Sequence, residues 1–140
     1  MSTLDPPEAW RRFSEARVAR MGTTGPDGRP HVVPVVFAVD GDAVFTIVDP
    51  KPKRGPRLKR LANIEANPRV TLLVDHYDES WRALWWVRAD GTATVEEQGP
   101  SRDRAIDLLR AKYEQYAEWT TPFGAAVVIR VDRWSSWSFS

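Results

Sequence analysis

The stretch "RPHVVPVVFAVDGDAVFTIV", residues 29–48, narrows the fold more than any other part of the chain. Two apolar, β-branched runs flank Asp40-Gly41-Asp42, a turn short enough to send the second run back antiparallel to the first. Pro30 and Pro34 offer no N–H to a ladder, so the first run belongs at a sheet edge or is locally bent. An edge this rich in valine would be adhesive if left open, and closing the sheet into a barrel removes it.

The remaining segments agree. Asp5 followed by Pro6 and Pro7 starts a helix over 6–16, with Trp10 and Phe13 on one face. "RVARMGTT" reads as a strand and "GPDG" (25–28) as a turn. A helix is predicted over 56–66 with Leu58, Leu61 and Ala62 as its apolar stripe, ended by Pro68. "VTLLVDHY" (70–77) and "WRALWWVRADGTATVEE" (81–97) read as strands, the latter bending at Gly91. Ser101 is the expected cap of a last helix with Ala105, Leu108, Leu109, Tyr113 and Tyr116 at helical spacing. Residues 125–139 supply one or two closing strands. The expectation is one domain over 1–140, mainly β: a six-stranded antiparallel barrel over about 17–139, with peripheral helices.

The chain carries a formal net charge of +1, yet residues 51–60, "KPKRGPRLKR", hold six basic residues and no acid. Without those six the remainder stands at −5 (+1 less 6). Positive charge gathered in one segment argues for a local anion site and against a broad nucleic-acid surface. There is no cysteine, which excludes disulfides, thiolate nucleophiles and cysteine-ligated metals. The N-terminal segment has no apolar core of a signal peptide, and no run is long enough to span a bilayer, so a cytoplasmic protein without membrane or nucleic-acid partners is expected. Nothing resembles a catalytic triad, and the two histidines, His31 and His76, have no metal-ligand spacing.

At the level of ordered blocks, "DGRPHVVPVVFAVDGDAVFTIVD", the basic loop, "LKRLANIEANPRVTLLVD" and the closing "IRVDRWSSWSF" resemble the pyridoxamine-phosphate-oxidase-like split barrels that bind flavin or deazaflavin. The likeness covers roughly residues 15–139 and implies a six-stranded split β-barrel of Greek-key type. "DHYDESWRALWWVRADGTA" is most similar to the actinobacterial branch that uses the deazaflavin coenzyme F-420.

That resemblance implies a phosphate tail held by Lys53, Arg57, Lys59 and Arg60, residue types suited to charge-assisted hydrogen bonds. The family often has lysine where Arg60 stands, which keeps the charge but leaves open which cation leads. It also implies a ring bedded on the strands of Val35, Val36, Thr46 and Val48. Trp85 and Trp86 face opposite ways on a strand. One is core; the other, taken as Trp86, stacks on the cofactor or lines a groove between subunits. The implied activity is hydride transfer between F-420, or alternatively FMN, and a small electron-poor substrate, in a homodimer with its cofactor near the subunit boundary. His76, beside Asp75 and Asp78, is a candidate proton donor. A non-catalytic cofactor carrier or haem-binding protein is the alternative of another class. No catalytic side chain is identified.

Overall fold

The computed structural model describes residues 2–49 and 58–140. Helix α1 (Pro6–Glu15) leads into strands β1 (Ala19–Thr24), β2 (Pro30–Val35), β3 (Ala38–Asp40) and β4 (Ala43–Ile47). Helix α2 (Lys59–Ala66) precedes β5 (Arg69–His76) and, after a single 3-10 turn at Trp81–Ala83, β6 (Trp85–Glu96). Helices α3 (Pro100–Lys112) and α4 (Glu114–Ala117) are followed by the last strand, β7 (Ala126–Ser138). Among the described residues no helix is long and apolar enough to cross a membrane.

The described strands form one antiparallel sheet of seven in the order β2-β1-β5-β6-β7-β4-β3, not six. The extra strand has a simple origin. The run predicted as one strand over 29–39 breaks at Val36–Phe37, so β2 pairs with β1 and β3 pairs with β4. Its two pieces are the two edges of the sheet. Two residues of chain join these edges, so the sheet must roll until they meet. The edge placement expected from Pro30 and Pro34 holds: Pro30 and Pro34 both lie in β2. The turn after β3 places Gly41 at φ 59°, a conformation glycine adopts without steric cost.

The bend expected at Gly91 is a register shift in the β6–β7 ladder between Asp90 and Gly91. A Cβ at Gly91 would lie 2.2 Å from the Arg130 carbonyl oxygen, so only glycine permits this approach. The rolled sheet encloses Phe13, Met21, Phe37, Leu72, Val87 and Ile129, all fully buried. Each such side chain contributes about 1.5–3 kcal/mol by leaving water.

Helix α2 caps the barrel differently from the pattern expected. Its described part begins at Lys59 with Leu58 as N-cap, Leu58 and Ala62 are exposed, and the buried residues are Leu61, Asn63 and Ile64. Asn63 is buried because its side-chain amide donates to Thr23 Oγ1 at 3.1 Å, tying α2 to β1. Helix α3 starts two residues earlier than predicted: Gly99 at φ 105°, not Ser101, is its N-cap. It stops at Lys112, and Tyr116 belongs to the short α4.

Candidate functional site

Strand β4 divides two environments by the parity of its residues. Val44 lies in the barrel core and Val48 packs against that core. Phe45 and Ile47 face the other way, Phe45 against Ala105 of α3 and Ile47 against Leu109 and Tyr116. Period-two alternation puts Thr46 on the inward row and Asp49 on the outward one. The structure agrees, for Asp49 Oδ1 accepts a hydrogen bond from the Tyr116 hydroxyl at 2.5 Å.

Tyr116 cannot follow Asp49 if the carboxylate moves. Its ring stands edge-on to Tyr113, Trp119 and Phe123, with centroids 6.1, 5.7 and 5.3 Å away. Burial, and after it the hydrogen bond to Asp49, pushes the phenol up from its ordinary value, so it remains a donor.

Arg60, in the first turn of α2, is within electrostatic reach of this pair. It is half-buried, and its Nε is shut off from solvent with no acceptor. Desolvation lowers its pKa, while the Asp49 charge opposes that shift. The Thr46 hydroxyl is also buried and unpartnered, at 2% exposure. An unpaired buried polar group costs about 1–3 kcal/mol, more if charged, and such groups are uncommon in folded proteins. Two of them, one cationic, sit where a basic segment leaves the end of a strand. An anionic ligand would satisfy Arg60 Nε, whereas the Thr46 hydroxyl belongs to the inward row of β4.

The other expected site residues are scattered. Val35 is buried in the barrel core, whereas Val36 packs on the α3–α4 side, so these neighbours do not share a bed. Lys59 is exposed at the start of α2. Lys53 and Arg57 lie outside the described residues. Trp86 is in another part of the molecule: it pairs with Trp137 on β7, whereas Thr46 pairs with Val127. Ten residues of strand separate those partners, roughly 33 Å of contour. Trp85 packs against the core and Trp86 does not, as alternation requires. The Arg88 guanidinium lies 5.6 Å above the Trp86 ring.

His76 shares the Trp86 end. Its ring stacks on Trp85 at 6.2 Å and its Nε2 is 4.0 Å from Asp78, while Asp75 approaches Arg20. His31 is half-buried with an unpartnered Nδ1. No group of three metal-ligating side chains occurs among the described residues.

Asp49 and Tyr116 were not singled out from the sequence. Asp49 reads as the first residue of a loop and Tyr116 as a helix-face aromatic. They are 67 residues apart, and no spacing rule joins them.

The sequence matches the pyridoxamine 5'-phosphate oxidase family over residues 6–138. No curated protein matches it. Among solved structures, it is similar to conserved hypothetical protein Rv2991 of Mycobacterium tuberculosis (21% identity, 96% of this chain and 85% of that one, TM-score 0.77). It is also similar to a FAD-binding protein of Mesorhizobium loti (25% identity, 96% and 95%, TM-score 0.70). The haem storage protein HutZ of Vibrio cholerae shares the fold at 15% identity (95% and 93%, TM-score 0.70).

Proposed function

The chain belongs to the pyridoxamine 5'-phosphate oxidase family, and on that premise we propose that it is an oxidoreductase using a phosphate-bearing deazaflavin, coenzyme F-420, as its cofactor. The observation that carries this reading is the half-buried Arg60 in the first turn of α2, whose buried Nε has no acceptor. A phosphate oxygen supplies the missing acceptor, and Arg binds phosphate through charge-assisted hydrogen bonds. Lys59 adds positive charge next to it, and the Thr46 hydroxyl offers a donor to a ring carbonyl. When bound, such a group supplies two-electron hydride transfer to an electron-poor acceptor such as a quinone or conjugated enone. The chain's own part is to anchor the tail, orient the ring and exclude water beside Val35 and Val48.

FMN is the second reading, favoured by the 25% identity to a protein described as FAD-binding. Titration with F-420 and FMN side by side separates the two. Reduced F-420 reoxidised by a panel of quinones and enones supports the oxidoreductase. Binding without turnover moves the protein to the carriers, turnover with FMN alone moves it to the flavin branch, and a Soret band with added haem points to the haem binders.

The reading includes a homodimer. The outward face of β2-β1-β5-β6-β7 carries Val32, Leu73 and the cross-strand pair Trp86 and Trp137, and Val32 is 63% exposed. A second copy covering this face by more than about 1,000 Å² would shield the tryptophans and bring the Trp86 and His76 end to a shared cofactor groove. Sedimentation of a monomer at micromolar concentration overturns this part.

A further inference from the structure

Asp49 presents a difficulty for any anion site at Arg60, because it places a negative charge beside the cation that must receive the ligand. A carboxylate drawn to Arg60 would compete with phosphate for it. The structure has an alternative arrangement. Asp49 Oδ1 is taken by the Tyr116 hydroxyl at 2.5 Å, a distance typical of a hydroxyl donating to a carboxylate. Three aromatic rings hold the phenol in place. Arg60 Nε meanwhile has no acceptor, although the Asp49 charge reaches it through space.

We propose that Tyr116 is a positioning residue that sets the phosphate affinity of this site: by engaging Asp49 it keeps the carboxylate from pairing with Arg60 and leaves Arg60 Nε open to an anionic ligand. The inference rests on the reading of Arg60 as a phosphate-binding residue and extends it to two groups outside the basic segment. It assigns opposite roles to the hydrogen-bonded partners. Asp49 opposes the anion, and Tyr116 limits how far that opposition goes. Were the hydrogen bond only a pin between α4 and the end of β4, removing either partner would change stability and leave ligand affinity alone.

The experiment measures affinity for FMN, F-420 and inorganic phosphate by calorimetry on the full chain, with thermal melting of each variant. Tyr116→Phe keeps the packed ring and removes the donor. It is expected to weaken binding about tenfold, the equivalent of one charge-assisted hydrogen bond lost to a competing carboxylate. Asp49→Asn removes the charge with little change of shape and is expected to tighten binding several-fold, more at low salt than at high salt. The double variant is expected to bind like Asp49→Asn, because without the carboxylate the phenol has nothing to restrain. Arg60→Ala is the control for the underlying reading. If Arg60→Ala binds all three probes as wild type does, or if wild type binds none of them, both the reading and this inference fall. If Arg60→Ala loses binding but Tyr116→Phe does not weaken it, or Asp49→Asn does not tighten it, the inference falls and the site stands.

Discussion

Helix α1 and the start of α2 both carry closely spaced basic residues, but they handle charge in opposite ways. On α1, Arg11 donates to Glu8 at 2.9 and 2.7 Å and to Glu15 at 2.6 Å, and Arg12 donates to Glu8 at 2.7 Å. Those hydrogen bonds, from Arg11 first and then Arg12, hold the Glu8 carboxyl at about 2. Every one of these charges has a partner, and the group lies in solvent, where ion pairs contribute little. Arg60 is half-buried, and its Nε has no acceptor. Density of charge is therefore a poor guide to function. What distinguishes Arg60 is a buried Nε without an acceptor, an arrangement that costs stability unless a ligand completes it.

The largest effect expected from this contrast follows Arg60→Ala. Cofactor affinity should fall by about 1.5–3 kcal/mol, roughly ten- to a hundredfold, as a charged hydrogen bond to phosphate is lost. The melting temperature of the ligand-free protein should hold or rise, because the side chain removed was desolvated and incompletely paired. Titration and melting on the same preparations check both halves. A fall of several degrees in the free protein would mean that Arg60 holds the fold together and would erase the contrast with α1.

Thr46→Val is the next step down. The substitution keeps the shape and removes a hydroxyl that has no partner in the free protein. Stability should be unchanged or slightly higher, and cofactor binding should weaken by about 0.5–1.5 kcal/mol, as for a neutral hydrogen bond. Unchanged affinity would leave Thr46 as an ordinary strand threonine.

Why one half of this contrast was legible in the sequence and the other was not comes down to range. The barrel, the Gly91 bend and the edge placement of Pro30 and Pro34 follow from local chemistry: side-chain alternation, a missing N–H, a missing Cβ. The break at Val36–Phe37 does not, because a run this apolar reads as one strand until its two halves are known to pair with opposite edges. Leu58 reads as core and is exposed, since the face α2 buries is decided by Asn63 reaching Thr23, 40 residues away. Arg60 was named for its charge. Its lack of an acceptor, and the Asp49–Tyr116 pair beside it, exist only once α4 is laid against the end of β4.

Lys112 lies between the two extremes. It is half-buried like Arg60, but its Nζ donates to the Ser14 and Phe37 carbonyls at 3.0 and 2.9 Å and sits 3.9 Å from the Phe37 ring centroid. Burial, and then repulsion from Arg17, lowers its pKa to about 8. An unfolded lysine titrates near 10.4, so between about pH 8 and 10 the unfolded chain holds a proton that the folded one has released, and rising pH favours folding. Tyr113 closes the window from above. Burial raises its phenol, so beyond about pH 10 the unfolded chain loses that proton first and the sign reverses. The difference in urea midpoint between wild type and Lys112→Met should therefore grow in favour of wild type from pH 7.5 to pH 10. A constant difference would mean that the carbonyls and the ring stabilise the ammonium as well as water does.

The smallest effect belongs to α1 itself. Arg11→Ala removes three hydrogen bonds and two ion pairs, yet all of them lie in solvent. At neutral pH the melting temperature should move by about one degree or less, as for exposed pairs elsewhere. The pH dependence has a definite sign. The Glu8 carboxyl is held at about 2, below its unfolded value, so its contribution is present above about pH 4.3 and is lost as pH falls toward 2. Wild type and variant should therefore converge on acidification, and added salt should bring them together sooner. Cofactor affinity should not change at any pH where both are folded. Weaker binding by Arg11→Ala, on the scale expected for Arg60→Ala, would show that the ligand responds to the positive field of the whole surface and not to Arg60 in particular.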